Sequence, residues 1–362
     1  MKVTFLLPYA GLAGGIRVVA IYASLLSEFG HDVHVISVSR QPLTIKTVLR
    51  RLIKGEGIHY PGKQKQGPSH LTMTDSFKWT ILHHNGPIEN SDVPNSDVVI
   101  ATWWKTAEWL DKLNEEKGKK VYFCQGYEVN ESSPRERVEA TYQLPFLQIC
   151  VSSWIRNKIS ELTQRNDQCV VMNGVDSSQF CSEPREKSTS TRFGFVYSAA
   201  SIKGTDILLQ ALSLAKKMNP RISAVCFSAR KPSQSLQIPE WIEFHYSPTQ
   251  KQIRDIYAQC DAWLFGSRAE GFGLPILEAM ACRTPVIATP AGAALDLVND
   301  GNGFLVPHEN PQAIVDRMVQ ISQMPKEQWK LLSDGARFTA EQHGWRQAAS
   351  GFENILHKLV LE

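Results

Sequence analysis

Two glutamates with a glycine turn between them are the residues of this chain best placed to do chemistry. Glu270 and Glu278 flank a Gly-Phe-Gly-Leu-Pro stretch that follows a buried apolar run at 262–265. Pro275 suits the first turn of a helix, where its missing N–H costs nothing, and Glu278 lies about one turn further on. Unpaired N–H groups and the positive end of the helix dipole therefore lie between the acids. This loop suits a ligand that carries both hydroxyl groups and a phosphate.

The segment from Ser267 to Thr289 resembles the signature of retaining glycosyltransferases of family four, which have the GT-B fold. The family's pattern is a glutamate, seven residues and a second glutamate, and it is intact here. The resemblance implies that Glu278 binds the ribose hydroxyls of a nucleotide sugar and that Glu270 binds hydroxyls of the donor sugar. It also implies that the turn between them holds the sugar or the diphosphate, through Gly271, Phe272, Gly273 and Leu274.

A lysine is expected to neutralise the diphosphate. Lys203 follows a predicted strand and precedes Gly204 and an apolar helix, which places its ammonium above the carboxyl ends of the strands, where such sheets bind ligands. The family usually has an arginine five residues earlier, where this chain has Ser198. Arg268, and Arg17 in the first domain, are the candidate replacements. Lys203 and Glu270 are therefore our candidate catalytic residues.

The N-terminal segment predicts a βαβ unit. An apolar run at 3–7 leads through glycines into a helical pattern, and a second strand is predicted at 32–38. Gly14 and Gly15 lie at the start of that helix, where the backbone can approach a phosphate or an acceptor closely. The second strand is followed by Ser39 and an arginine rather than an acid, which argues against an NAD enzyme.

The first domain is expected to supply an acceptor-side group. Many relatives carry a histidine after the strand that here ends at Cys124, but this chain has Gln125 at that position and Glu128 close by. The Gln-x-x-Glu pattern resembles some bacterial polysaccharide rhamnosyltransferases of the family, which is a hint about the donor sugar.

Bulk composition narrows the class of protein. A chain of 362 residues, 43% hydrophobic and 21% charged, is typical of a globular protein of two domains. The net charge of +3 gives no indication of nucleic-acid binding. Seven cysteines without a Cys-x-x-Cys pair favour a reducing cytosol over a disulfide or zinc framework. We expect no cofactor and no metal, since a lysine and helix N-termini can neutralise the phosphates, and His83 and His84 lack metal-ligand partners in the sequence.

Apolar strands alternate with helices along the chain, which predicts α/β domains with parallel sheets covered on both faces. The resemblance adds the GT-B architecture, in which two Rossmann-like, doubly wound domains face each other across a cleft. The predicted parts are an acceptor-binding domain, a polar linker, a donor-binding domain and a terminal helix that crosses back to the first domain, at 1–180, 181–191, 192–344 and 345–362.

A basic and apolar segment at 42–54 predicts a surface helix. Its lysines and arginines alternate with leucines, valine and isoleucines. Such a helix suits an anionic membrane surface, although a core-facing helix with a solvated face is the alternative. The membrane interpretation predicts a lipid-linked acceptor and a cytoplasmic protein bound peripherally to the inner face of the plasma membrane.

Taken with the resemblance, these residues predict a glycosyltransferase. It would move a sugar from a nucleotide donor to a hydroxyl of a glycan or lipid-linked glycan, with retention of configuration and through a dissociative transition state. A sugar-nucleotide epimerase of the same fold is one alternative. A non-catalytic glycan-binding module or partner subunit is another, which the serine at Ser198 keeps open.

Overall fold

The computed structural model describes residues 1–39, 69–73, 75–129 and 133–362. Two compact units are present. The first contains residues 1–124, 128–149 and 352–362, and the second contains 125–127 and 150–351. The surface helix predicted at 42–54 lies outside the described residues.

The strands described near the N-terminus form one sheet, in the order β3-β2-β1-β4-β5-β6-β7. Pairing is parallel from β3 through β5. The inner strands are continuous apolar runs buried on both faces, as parallel sheets require. The strands are β1 (Lys2–Leu7), β2 (Asp32–Ser37), β3 (Lys78–Ile81), β4 (Val98–Ala101), β5 (Lys119–Cys124), β6 (Leu147–Cys150) and β7 (Cys169–Val170).

Helices flank this sheet in the first unit. Helix α1 (Gly14–Glu28) buries Val19, Ala23 and Leu26 along one face, at the spacing that the sequence predicts. Gly30 follows just after the helix ends, and its φ of 94° lies in the left-handed region that favours glycine. The other helices of this unit are α2 (Trp104–Asp111) and α3 (Arg135–Tyr142).

A second sheet has the order β10-β9-β8-β11-β12-β13 and is parallel throughout. Its strands are β8 (Arg192–Val196), β9 (Ser223–Ser228), β10 (Ile242–Tyr246), β11 (Ala262–Phe265), β12 (Val286–Ala288) and β13 (Gly303–Leu305). Its helices are α4 (Ser153–Thr163), α5 (Thr205–Met218), α6 (Gln250–Ala258), α7 (Leu274–Ala281), α8 (Ala294–Leu297), α9 (Pro311–Gln323) and α10 (Lys326–Glu341).

The strand order of the second sheet reverses between β8 and β11. The chain runs outward from β8 to β10, then returns to the other side of β8 with β11. Loops that leave the carboxyl ends of two such strands diverge to opposite faces and leave a crevice between them, where open α/β sheets bind ligands. The same reversal occurs between β1 and β4 in the first sheet.

The terminal helix α11 (Trp345–Leu361) ends in the first unit. Phe352 packs among three buried rings of that unit, with centroids 6.4 Å from Phe5, 4.9 Å from Tyr22 and 5.1 Å from Phe123. Aromatic contacts at these separations contribute beyond simple burial. The predicted return of this helix to the first domain is confirmed.

The two parallel α/β sheets are also confirmed, whereas the predicted domain boundary at 180 stays a prediction. Residues 150–180 group with the second unit, although strand β7 within them extends the first sheet. Strands β3, β7 and β13 are absent from the sequence-based prediction because they are short or lack a continuous apolar run. Among the described residues, every helix is too short or too polar to cross a lipid bilayer.

Candidate functional site

The two loops that the sequence singles out leave β8 and β11, the pair of strands at the switch point of the second sheet. The first loop carries Lys203 in a single 3₁₀ turn, Ser201–Lys203, immediately before α5. The second carries Ser267 to Gly273 and leads into α7. Residues 67 positions apart in the chain are therefore brought to one crevice.

Gly204 is the residue that lets these loops meet. Its φ of 60° lies in the left-handed region, and a Cβ built on it would lie 1.9 Å from the carbonyl oxygen of Gly266. Any side chain there would push the Lys203 turn away from the end of β11. The close approach of two backbones thus fixes the height of Lys203 above the sheet.

Lys203 and Glu270 form an ion pair across the two loops. The ammonium Nζ donates to Oε2 of Glu270, and Ser267 Oγ donates to the same oxygen over 3.3 Å. The side chains are 40% and 20% exposed, respectively. An ion pair this open to water contributes little to folding stability, so a ligand can exchange for either partner without a large penalty.

The turn between the two acids is held by its glycines and by a neighbouring loop. Gly273 has a φ of 90°, and a Cβ there would lie 2.9 Å from the ring of Phe265. Phe272 is buried, and its carbonyl accepts from the Ala293 N–H over 2.8 Å. Helix α7 begins directly after, at Leu274. The N-terminus of α7 therefore lies close to Glu270 in the chain, and these contacts hold the backbone between them in place.

Glu278 is a buried carboxylate near the middle of α7. Only 8% of the residue is exposed, and the hydroxyl of Tyr257, itself fully buried, donates to Oε2 over 3.0 Å. Because a buried charge needs hydrogen bonds, this contact both stabilises the carboxylate and fixes its orientation.

Arg268 is committed to neighbouring carboxylates. Its guanidinium makes two hydrogen bonds to Asp206, of 2.9 and 2.8 Å, and two to Glu309, of 2.6 and 2.9 Å. These bonds raise the pKa of Arg268 and lower the pKa of each carboxyl. It also donates to the carbonyl of Ser201, and its backbone N–H donates to that of Ile202 over 2.8 Å. Arg268 thus grips the turn that carries Lys203.

Ser198, at the position of the family's arginine, also shapes this loop. Its N–H donates to Thr205 Oγ1 over 3.2 Å, and its own hydroxyl accepts from the N–H of Ala200 over 3.3 Å. The serine is therefore part of the turn that leads to Lys203.

Gly271 and Gln125 are in contact within the second unit. A Cβ on Gly271 would lie 1.9 Å from the carbonyl oxygen of Gln125, and Ser152 Oγ donates to the Gly271 carbonyl over 2.8 Å. The side-chain oxygen Oε1 of Gln125 is buried and has no hydrogen-bond partner among the residues that the structure describes. Buried polar atoms rarely lack a partner, so this one requires an explanation.

The glycine loop of the first unit carries the other predicted residues. Gly14 begins α1, and a Cβ there would meet nothing within 4 Å. Gly15 is exposed and Arg17 is half-buried. The carbonyl of Ala13 accepts from the N–H of Arg17 over 3.1 Å, within the first turn of the helix. Neither close packing nor a left-handed φ explains why position 14 is a glycine.

Glu128 supports the framework of the first unit. Its Oε2 accepts from the Trp104 N–H and from the Tyr122 hydroxyl, each over 2.7 Å, so it caps the start of α2. The ring of Tyr122 stacks on Tyr142 at 5.7 Å, and the Tyr142 hydroxyl accepts from the Glu128 N–H. Burial raises the pKa of Glu128 to about 8, against the lowering effect of the two hydrogen bonds.

The structure thus brings together Lys203, Glu270 and the glycine turn, with Glu278 one turn further along α7. The supporting residues Ser152, Asp206, Tyr257 and Glu309 are absent from the sequence-based prediction. Their partners lie 21 to 119 residues away along the chain, so local spacing gives no sign of the contacts. Ser152 alone has a local signal, as the N-cap of α4.

One group of possible metal ligands lies elsewhere, within the described ranges. His31, Glu353 and His357 place their ligand atoms within 4.8 Å of one another. His84, considered from the sequence, contacts Asp92 over 3.2 Å. The expected absence of a metal from the donor site stays a prediction.

Comparison with solved structures identifies the fold. Sucrose-phosphate synthase from Thermosynechococcus elongatus superposes with a TM-score of 0.73 at 15% identity, over 99% of each chain. Anabaena HepE, solved in complex with UDP-glucose, superposes with a TM-score of 0.70 at 19% identity, over 99% of this chain and 100% of that one. WaaG, a glycosyltransferase involved in lipopolysaccharide biosynthesis, gives 0.67 at 14% identity. The fold is the GT-B fold of glycosyltransferases.

Sequence comparison finds similar proteins. Residues 179–337, under half of the chain, match the family described as glycosyl transferases group 1. The chain is 27% identical over 217 residues to an uncharacterized glycosyltransferase of Methanocaldococcus jannaschii, which is 58% of this chain and 59% of that protein. It is 32% identical over 171 residues to a D-inositol 3-phosphate glycosyltransferase of Streptomyces bingchenggensis. The matched segment is 42% of this chain and 37% of that protein. It therefore spans less than two thirds of the length of these relatives.

Proposed function

We propose that this protein transfers a sugar from a nucleoside diphosphate donor to a hydroxyl of a glycan or lipid-linked glycan, with retention of anomeric configuration. The observation that carries the proposal is the meeting of Lys203 and Glu270 at the switch point of the second sheet, beside the N-terminus of α7. A cation, a carboxylate and a helix N-terminus in one crevice match the chemistry of a sugar joined to a diphosphate.

In the proposal, donor binding exchanges the Lys203–Glu270 pair for ligand contacts. The diphosphate binds the ammonium of Lys203, and hydroxyls of the donor sugar donate hydrogen bonds to Glu270. The exchange costs little free energy because the pair is partly solvated in the unliganded protein. The N-terminus of α7 adds N–H groups and its dipole to the phosphate side.

Glu278 is proposed to bind the ribose hydroxyls. Its orientation by Tyr257 leaves the carboxylate pre-organised, so binding does not have to order it. The relation between the two acids follows from the helix, because Glu270 precedes α7 and Glu278 lies within it.

The unpartnered oxygen of Gln125 is proposed to accept a hydroxyl of the donor sugar. It is buried, and its residue contacts Gly271 of the glycine turn. A sugar hydroxyl is a donor of the kind that this carbonyl lacks. This keeps the predicted importance of Gln125 and assigns it to the donor.

Arg268 is proposed to position Lys203 instead of binding the diphosphate itself. An arginine that turned towards the phosphates would leave Asp206 and Glu309 unpaired, and both carboxylates would then repel the anion. Held in place, the same side chain fixes the turn through the Ser201 carbonyl. The proposal revises the sequence-based role of Arg268 as the replacement cation.

The proposed mechanism uses the charges already present. The bond from the anomeric carbon to the diphosphate oxygen breaks, and Lys203 and the helix N-terminus stabilise the charge that grows on the leaving group. The acceptor hydroxyl attacks from the same face, forms the new glycosidic bond and gives its proton to the departing phosphate oxygen. Glu270 and the glycine turn keep the sugar oriented throughout.

Thermal stabilisation by a panel of nucleotide sugars, UDP-glucose included, is the first test, because a ligand that binds the native state raises apparent stability. Stabilising donors are then incubated with glycan and polyol phosphate acceptors and the products are analysed. A new glycoside with the donor's anomeric configuration supports the proposal. Epimerised sugar with released nucleotide would support the epimerase alternative, and the absence of any stabilising donor would contradict both.

A further inference from the structure

Two histidines and a glutamate of the first unit lie close together, and the proposed transfer reaction does not use them. His31 follows Gly30 at the end of α1, while Glu353 and His357 lie one turn apart on α11. Oε1 of Glu353 lies 2.7 Å from Nε2 of His31 and 3.7 Å from Nε2 of His357. All three offer a ligand atom within 4.8 Å of the others.

The backbone holds these side chains in place before any ion arrives. The N–H of His31 donates to the Leu26 carbonyl over 3.1 Å, which completes the end of α1. Phe352, next to Glu353, is fixed among buried aromatic rings of the same unit. A site built on such rigid elements loses little conformational freedom when it binds.

We propose that His31, Glu353 and His357 form a binding site for a divalent transition metal of the zinc class. Imidazole nitrogens with one carboxylate are a ligand set that zinc uses, with a further position left for water. The same set disfavours magnesium and calcium, which prefer oxygen ligands. The side chains of His31, Glu353 and His357 are 7%, 20% and 48% exposed, so an ion would enter from the side of His357 and keep a solvent ligand.

A bound ion would join the second half of α11 to the corner between α1 and β2. Both elements belong to the first unit, so the effect is on the stability of that unit. The competing explanation is that Glu353 only pairs with the two histidines, which requires no metal.

The test is calorimetric titration of ZnCl₂ into the full chain after treatment with EDTA. We expect one saturable site whose affinity falls at least tenfold in His357→Ala or Glu353→Gln. His84→Ala is the matched control, because His84 pairs with a single carboxylate, and should bind as wild type does. About half of the His357 side chain is exposed, so its removal should leave the fold intact.

Cobalt substitution separates this site from cysteine thiols. Co²⁺ bound by two imidazoles and a carboxylate gives ligand-field bands without thiolate charge transfer, and the bands should disappear in His357→Ala. Zinc binding of equal strength in the wild type and in His357→Ala would overturn the proposal. So would the absence of a saturable site.

Discussion

Each unit has an acid in a segment that follows a strand of a parallel sheet, but the two acids are used differently. In the second unit, the loops after β8 and β11 bring Lys203 and Glu270 into a partly solvated pair. In the first unit, the segment after β5 buries Glu128 against the start of α2. The comparison teaches that position in the fold alone does not make a site. What distinguishes the loops is whether their charged groups remain exchangeable or are committed to the framework.

Loss of the cation in the second unit should have the largest effect. We expect Lys203→Ala to reduce turnover about a hundredfold, by analogy with the loss of one oxyanion-stabilising group. The measurement is the steady-state rate with the donor that stabilises the protein. Lys251→Ala, an exposed lysine at the start of α6, is the control and should retain the wild-type rate. Equal rates for the two variants would remove Lys203 from the mechanism.

A pair of glycine substitutions sharpens the contrast between the loops. Gly204→Ala meets backbone at 1.9 Å and a left-handed φ, whereas Gly14→Ala enters open space at the start of a helix. We expect Gly204→Ala to lower both the melting temperature and the turnover. Gly14→Ala should leave stability unchanged or raise it by about 0.5–1 kcal/mol.

Turnover in the Gly14 variant then decides the role of that glycine. A loss of activity at full stability would support the predicted close approach of a ligand to the backbone. Full activity would make Gly14 an ordinary helix-start residue, and an unaffected Gly204→Ala would contradict the packing argument for the Lys203 turn.

Arg268 distinguishes positioning from direct contact with the diphosphate. If Arg268 holds the Lys203 turn, Arg268→Gln should lower turnover about tenfold, the effect expected from a hydrogen-bonded ion pair worth about 1.4 kcal/mol. Asp206→Asn should also lower turnover, because it weakens the hydrogen bonds that hold Arg268 in place. If Arg268 instead binds the donor, Asp206→Asn should leave donor affinity unchanged or increase it.

A matched ion pair provides the control for that experiment. Arg254 makes hydrogen bonds of 2.9 and 2.6 Å to Asp255 on α6, and Arg254→Gln should leave turnover unchanged. Tighter donor binding in Asp206→Asn would contradict the positioning role.

Glu128→Gln should have the smallest effect on turnover but a clear effect on the pH dependence of stability. The folded protein keeps the Glu128 proton up to a pKa of about 8, while the unfolded chain loses it near 4.5. The wild type therefore loses stability relative to the variant as the pH rises through this window, by about 1.4 kcal/mol per pH unit. Above pH 8 the difference becomes constant. Urea unfolding from pH 5 to 9 measures it.

The activity of the same variant tests the predicted acceptor-side role of Glu128. Wild-type turnover in Glu128→Gln agrees with a framework role, because glutamine can still accept from Trp104 and Tyr122. A hundredfold loss at full stability would support Glu128 as the predicted acceptor-side group.

Much of this architecture could be predicted because its signals are local. Strand β11, the glycine turn and α7 follow one another in the sequence, so an apolar run, two glycines and Pro275 suffice to predict them. The terminal helix could also be predicted from its amphipathic pattern. The edge strand β3 could not be predicted in this way, since its residues alternate in burial and share no apolar run.

The contacts that tune the site depend on distant parts of the chain. Arg268, a candidate phosphate-binding cation from the sequence, pairs with Glu309, 41 residues away. This contact gives Arg268 a structural role. The contact between Gln125 and Gly271 likewise joins parts of the chain that no local pattern connects. Residue types can be predicted from the sequence, whereas the partners that decide their roles require the fold.

Calorimetric titration of the stabilising donor's nucleoside diphosphate into wild type, Glu278→Gln and Glu128→Gln tests the account most directly. Glutamine at 278 keeps an acceptor for the buried Tyr257 hydroxyl, so the fold should survive. The account predicts a dissociation constant at least tenfold weaker for Glu278→Gln, through loss of charge-assisted bonds to the ribose, and an unchanged value for Glu128→Gln. Unchanged affinity in Glu278→Gln would contradict the claim that the second unit holds the donor by its paired acids.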